Sequence, residues 1–360
     1  MPKGDEKYVL SETLLKKYPD LKDYCTKNGR LNLNKKVSKL ILEIINDEEK
    51  VLFNELIKNN TINNKNKKKD KININEAECN KHSIEEKRLK TPLRYAGGKS
   101  KAIYKLECHL PKMYDSMEIH DSFLGGGSFP LYLTKLYPNL KVKVNDVYYP
   151  LYNFWIQLRD NGNKLSDKLL EIKLANNNPD SARVLFDLQK KVIEDTESTD
   201  FEKGAAFYIL NKCSFSGLVS SSFSEMASVS NFGESGIINL KHYSKLIESW
   251  EIYNLDYKDF INKFSNKKEV FLYLDPPYMI KDNLYGDHGE LHKVFKHEDF
   301  FKLCPTLKCQ QLISYNSDLL IKNAFKDYNI SDYDLTYTMR STGTYMEDQK
   351  SRKELAMRNY

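Results

Sequence analysis

Long apolar runs are missing from this chain. Nowhere in its 360 residues do about 18 apolar residues stand together, so no segment has the length of a membrane-spanning helix. Met1-Pro2-Lys3-Gly4-Asp5-Glu6-Lys7 lacks the apolar stretch of a secretory signal. Cysteine is sparse. The six residues, at 25, 79, 108, 213, 304 and 309, form no Cys-x-x-Cys pair, which argues against a disulfide frame or a zinc site and predicts reduced thiols. Charge of one sign is not in excess: 56 Lys and Arg face 50 Asp and Glu, for a net charge of +6. That balance permits a polyanionic partner without requiring one. The Gly-x-Gly-x-x-Gly of dinucleotide folds is absent. Gly97-Gly98-Lys99-Ser100 lacks the earlier glycine of a phosphate-binding P-loop, and no clear strand precedes it. Together these absences predict an intracellular protein without a metal.

What is present divides near residue 90. Residues 1–58 read as a helical N-terminal extension, with Val37, Leu40, Ile41, Ile44 and Ile45 on one helix face. Self-association or an accessory contact is one use for it. Residues 59–90 are rich in Asn and Lys and read as a basic linker. From Thr91, short β-rich runs alternate with helical ones, which predicts an α/β fold with a mostly parallel sheet. The expected strands are 119–123, 142–144, 270–274, 311–314 and 333–338. Residues 161–250 interrupt that rhythm. They read as a mostly helical, Ser-rich insertion for substrate contact, leaving 91–160 and 251–360 as the catalytic domain.

Four motifs carry chemistry. Val270-Phe271-Leu272-Tyr273-Leu274 runs into Asp275-Pro276-Pro277-Tyr278. A buried strand ending this way places a carboxylate, two rigid carbonyls and an aromatic ring at the carboxyl edge of the sheet, where open α/β folds bind ligands. Two acceptors and a ring suit a planar amine. Asp121-Ser122-Phe123-Leu124-Gly125-Gly126-Gly127-Ser128 is a glycine turn between strand and helix. It is either a tight turn or a cradle that turns helix N–H groups toward an anionic ligand end. Asn145-Asp146 ends the next strand, with Asp146 either a helix cap or an acid for ribose hydroxyls. Arg94-Tyr95-Ala96-Gly97-Gly98-Lys99 offers a ring and a point charge.

In this order the motifs resemble those of Dam-like (D12 class, alpha-group) N6-adenine-specific DNA methyltransferases. The resemblance covers about residues 91–358. Tyr95 to Lys99 is similar to the family's opening cofactor motif, and Phe123 to Ser128 to its Phe-x-Gly-Gly-Gly-Ser loop. Tyr208 to Leu218 resembles the entry to its target-recognition region, and Asp256-Tyr257 its Asp-Phe pair. The resemblance implies a Rossmann-like S-adenosylmethionine-dependent methyltransferase fold with a helical target-recognition insertion. It implies S-adenosyl-L-methionine as cofactor, double-stranded DNA as partner and a flipped-out adenine as acceptor. Under it, Lys99 and the loop around Gly125 hold the methionine end, Asp146 the ribose, Tyr95 and Phe123 pack the cofactor, and Asp256 contacts its adenine. Asp275 and Pro276 hold adenine N6, and Tyr278 stacks on the base, so Tyr278→Phe is expected to be nearly normal. Membership would place the chain with DNA: in a prokaryotic cytoplasm, a nucleus or a viral factory, with a restriction–modification system as one setting.

Some features depart from the family. GATC-reading Dam proteins carry an Arg soon after a Gly-Leu pair, whereas Val219, Ser220 and Ser221 follow Gly217-Leu218 here. The GATC target therefore does not transfer. His288, His292 and His297 lack the Glu of zinc helices and straddle Gly289. Two rivals stand beside this reading: a catalytically silent methyltransferase-like DNA-binding module, and a methyltransferase acting on RNA. The intact Asp275-Pro276-Pro277-Tyr278 and glycine loop weigh against the first, and Asp275, where the second usually has Asn, weighs against that one.

Overall fold

The computed structural model describes residues 90–279, 294–334 and 353–360, apart from Ala96, Asp115, Leu218 and Ser220. The expected N-terminal helices, the linker up to residue 89, His288 and His292 lie outside the described residues. Seven strands are present among them: β1 (Glu118–Asp121), β2 (Lys141–Asn145), β3 (Glu251–Tyr253), β4 (Val270–Leu274), β5 (Gln310–Asn316), β6 (Asn329–Asp334) and β7 (Lys353–Arg358). They form one sheet in the order β3-β2-β1-β4-β5-β7-β6. β1 to β5 are mutually parallel, and β7 runs antiparallel between β5 and β6. This is the doubly wound order 3-2-1-4-5-6 with one reversed strand slipped in near the edge.

β4 shows why the centre holds. All five of its residues are buried. Phe271 and Tyr273 enter the core on one face, while Val270, Leu272 and Leu274 enter the core on the other. A strand covered on both faces reads as a continuous apolar run, not as an alternation.

The helices are α1 (Ile103–Glu107), α2 (Ser128–Leu136), α3 (Tyr149–Ala175), α4 (Pro179–Glu194), α5 (Asp200–Cys213), α6 (Glu225–Ser230), α7 (Glu234–Ile238), α8 (Leu240–Leu246), α9 (Tyr257–Phe260), α10 (His297–Leu303) and α11 (Leu319–Ala324). Local chemistry starts several of them. Asn178 caps α4 by accepting from Ser181 N–H, and Thr199 with Glu202 makes a capping box for α5. α3 packs along α5 and α8, and α4 packs along α5. Phe154, Trp155, Phe207, Tyr208 and Trp250 fill the space between these helices and the sheet. The helical insertion was expected from residue 161. That position falls inside α3, at Asn161, where φ of −126° interrupts the helical backbone.

Two strands escaped the sequence pattern. β3 has three residues, of which only Ile252 is buried. β7 opens on Lys353 and Glu354 and closes on Arg358, so its apolar stretch is short. Of the strand expected at 333–338, Tyr333 and Asp334 close β6, which begins at Asn329, and 335–338 lie outside the described residues. Cys213, Cys304 and Cys309 are buried free thiols, in line with the expectation of reduced cysteines. Cys108 is the exception, being disulfide-bonded.

Candidate active site

β1 sits where the strand order reverses, with β2 on one side and β4 on the other. Ligands bind open α/β sheets in the crevice at that reversal, past the carboxyl ends of the strands. Asp121 ends β1, Asp146 follows β2 and Asp275 follows β4. The fold thus delivers three acids to one edge.

The glycine loop is built tightly. Gly125 and Gly127 have φ of +49° and +68°, a conformation that side chains disfavour. A Cβ on Gly125 would lie 2.8 Å from the Tyr95 ring, and one on Gly127 would lie 2.7 Å from Trp155. Tyr95 is therefore packed directly on the loop, and Trp155 Nε1 donates to Gly125 O at 3.0 Å. Asp146 ties the loop to β2: its two carboxylate oxygens accept from Gly125 N–H at 2.9 Å and Tyr148 N–H at 3.0 Å. Burial pushes its carboxyl up to about 6 against those two bonds. Beyond the loop, Gly127 caps α2. Pro130 stands third in α2 and brings no N–H, so Ser128 and Phe129 carry the donors at the start of the helix.

Lys99 meets Asp275. Its ammonium donates to both carboxylate oxygens, at 2.8 and 2.7 Å, and to Gly97 O at 2.8 Å. Only 2% of the Lys99 side chain is exposed. Its backbone N–H donates to Ser128 Oγ at 3.0 Å, pinning the segment to the start of α2. The family resemblance implies a cofactor-holding role for Lys99; here its ammonium sits on Asp275, at the wall of the same cleft. Burial raises the Asp275 carboxyl above its ordinary value, while Lys99 pulls it down. Asp121 is buried, accepts from Phe123 N–H at 3.0 Å, and is pushed well up by burial, then by Asp275 and Asp146.

Tyr278 is 5% exposed. Its ring stacks on Tyr315 at 5.6 Å and 14°, and Lys99 Nζ lies 4.7 Å from its centroid. Pro276, next to Asp275, is buried, and Pro277 O accepts from Tyr315 O–H at 3.3 Å.

One cleft is lined by Tyr95, Gly97, Gly98, Lys99, Asp121, the Phe123–Gly126 loop, Ser128, Phe129, Tyr273 and Asp275. It joins the three motifs that the sequence left far apart. Asp146 lies behind the loop as its support. Asp256 is exposed and caps α9, accepting from Lys258 N–H at 2.8 Å. Phe123 also packs in an aromatic group, its ring 5.4 Å from Tyr257 and 6.1 Å from Phe300.

Asn211 carried no signal in the sequence beyond its place in the motif. Its side chain accepts from Arg94 N–H at 2.9 Å and donates to Arg94 O at 2.7 Å and Gly217 O at 2.8 Å. α5 thereby clamps the Arg94–Lys99 segment. Lys212, beside it, is buried, and burial followed by the neighbouring Arg94 charge lowers it to about 8.

The model of the D12 class N6 adenine-specific DNA methyltransferases matches residues 95–339. The chain belongs to that family. It is an S-adenosylmethionine-dependent DNA adenine methyltransferase. No curated protein matches the chain. The family match begins at Tyr95, the ring that packs on the glycine loop, and takes in β1 to β6. Among the described residues of this methyltransferase, no helix is long and apolar enough to cross a membrane.

The cleft fits the methyl donor by its lining: the glycine loop and the start of α2 bring backbone donors for a carboxylate, Tyr95, Phe123 and Phe129 bring rings, and Lys99 is neutralised by Asp275. Tyr273 O–H is buried there without a hydrogen-bond partner among the described residues, a donor left for a ligand.

Proposed function

We propose that this methyltransferase modifies N6 of an adenine flipped out of double-stranded DNA, with Asp275 and Pro276 gripping the amine. The observation that carries the reading is the opening of Asp275 into the same cleft as the glycine loop. Amine and methyl donor would then meet at one carboxylate.

S-adenosylmethionine supplies an electrophilic methyl group when bound. The glycine loop with the α2 N–H groups would take its carboxylate end, Tyr95 and Phe123 would pack beside it, and Asp146 would hold the loop while meeting the ribose. Asp256 would reach its adenine from the start of α9.

The adenine N6 lone pair is delocalised into the ring and is a weak nucleophile. Hydrogen bonds from N6–H to the Asp275 carboxylate and the Pro276 carbonyl would localise it and stabilise the positive charge that develops on nitrogen. An ionised carboxylate offers about four acceptor positions. Lys99 occupies two of them, which leaves room for the amine. Lys99 would keep Asp275 ionised against its burial. As the N6–methyl bond forms, the methyl–sulfur bond would break to leave a neutral thioether that needs no acid, and the surplus N6 proton would pass to Asp275. Tyr278 would line the base site and offset part of the unstacking cost, a few kcal/mol.

Methylation-aware sequencing of unmethylated genomic DNA treated with the enzyme and S-adenosylmethionine tests this reading. The expected result is N6-methyladenine in one short sequence context. Methyl groups found only on cytosine, only on RNA, or nowhere would overturn it.

A further inference from the structure

β7 is the reversed strand of the sheet, so its first residues lie at the same edge as the carboxyl ends of β1 and β4. Glu354 is the second of them. It stands opposite Asn316 of β5 and Tyr333 of β6. Only 1% of it is exposed. A carboxyl group so buried is costly unless it does something for its surroundings.

Its contacts lead in one direction. Tyr333 O–H donates to Glu354 Oε2 at 2.6 Å, and Ser314 Oγ lies 2.9 Å from Tyr333 Oη. Tyr278 Oη lies 3.3 Å from Ser314 Oγ. Three hydrogen bonds therefore run from a buried carboxyl to the hydroxyl of the tyrosine that closes the Asp275 turn. The other oxygen, Oε1, has no hydrogen-bond partner among the described residues. Burial raises the Glu354 carboxyl, and the largest opposing influence is the charge of Lys99, the partner of Asp275. Glu354 thus acts on the Asp275 turn through a hydrogen-bond chain to Tyr278 and through the field at Lys99.

We propose that Glu354 is a positioning residue for this methyltransferase: through Tyr333 and Ser314 it fixes the Tyr278 hydroxyl, and with it the Asp275-Pro276-Pro277-Tyr278 turn. The inference rests on the reading of that turn as the base-binding site. Glu354 touches neither base nor cofactor. It sets the direction from which Asp275 meets the amine.

A staple between β6 and β7 would give the same contacts, and the two roles separate by coupling. The full chain is assayed with unmethylated genomic DNA and tritiated S-adenosylmethionine. The variants are Glu354→Gln, Tyr333→Phe, Tyr278→Phe and the Glu354→Gln/Tyr278→Phe double. Cofactor affinity is read separately by calorimetry. Each single variant should lower kcat about tenfold, because small misplacements at a reacting centre are costly, while the cofactor Kd stays within about threefold. The double variant should lose no more than about twentyfold, where independent effects would multiply to about a hundredfold. Multiplied losses overturn the proposal, as does Glu354→Gln at wild-type kcat. If Glu354→Gln does not fold, Tyr333→Phe paired with Tyr278→Phe makes the same test without removing a charge. A wild-type enzyme that leaves adenine N6 unmethylated overturns the reading of the site and this inference with it. Methylation by wild type with an unaffected Glu354→Gln overturns this inference alone.

Discussion

Lys99 Nζ bridges both carboxylate oxygens of Asp275, across 176 residues of sequence. The pair joins the segment at which the family match begins to the turn that follows β4. It also gives Asp275 its only ion pair among the described residues.

Removing that cation should change the pH dependence of methyl transfer. Burial raises the Asp275 carboxyl and Lys99 opposes it, so Lys99→Met leaves burial unopposed and raises the carboxyl further. Under the proposed mechanism the ionised form is the active one. The rate of Lys99→Met should therefore be low at neutral pH and recover as pH rises, with its ascending limb displaced to higher pH than wild type. Initial rates across pH 5.5 to 9.5, a span of about four units around neutrality, check this. Superimposable profiles would remove Lys99 from the control of Asp275.

Asp275→Asn keeps the shape of the side chain and removes the charge. The amine would lose its charged acceptor, and transition-state stabilisation of this kind is worth about 100- to 1000-fold in kcat. Cofactor affinity, measured by calorimetry, should fall far less. Near-normal methylation by this variant would sink the assignment of Asp275.

Tyr278→Phe was expected from the sequence to behave almost as wild type, since stacking needs only a ring. The structure gives the hydroxyl work to do: it meets Ser314 Oγ at 3.3 Å inside the protein. A loss of about tenfold in kcat is now expected, with Tyr278→Ala worse because the stack on Tyr315 goes too. Single-turnover rates for the two variants decide it, and equal rates for Tyr278→Phe and wild type would mean that the hydroxyl is idle.

The Asp275 turn and the glycine loop were legible because each is a local pattern. Val270–Leu274 is apolar throughout since both its faces are covered, and Gly125 and Gly127 hold backbone angles that few other residues accept. Asp146 was legible only as an acid after a strand; its grip on Gly125 N–H needed the fold. The pairings at the site escaped notice for a physical reason. Lys99 with Asp275 and Asn211 with Arg94 are brought together by the sheet order and by α5, and a sequence carries no period that marks such contacts. β7 was missed because Glu354, which looks like a solvent-facing acid, is in fact buried.

Asp146 makes stability depend on pH. Its carboxyl is raised to about 6 in the folded state from an ordinary value of 3.8. The folded form therefore binds its proton more tightly than the unfolded chain does. Its contribution to stability is fully present below the unfolded value and is lost as pH rises through about 6. Asp146→Asn cannot titrate. The difference in unfolding temperature, wild type minus Asp146→Asn, should fall between about pH 4 and pH 6.5 and stay level above that. Thermal unfolding of both proteins over this range measures it, and a difference that does not vary with pH would show that the Asp146 carboxyl keeps an ordinary value.

Asn211→Ala tests the clamp on the Arg94–Lys99 segment. The substitution removes one acceptor and two donors that hold Arg94 and Gly217, and leaves the Arg94 N–H and two carbonyls to find new partners. Leaving such groups unsatisfied costs about 1–3 kcal/mol each when they are buried. Arg94 is only part-buried, and water can replace some of what is lost, so about 3 kcal/mol in total is expected. Tyr95 and Lys99 follow directly on Arg94. Looser anchoring there should weaken cofactor binding as well as lower the unfolding temperature, and calorimetric titration with S-adenosylmethionine reads the first effect separately from the second. A destabilised variant with unchanged cofactor affinity would mean that the clamp serves only the packing of α5. A weakened one would tie α5 to cofactor binding through a single asparagine.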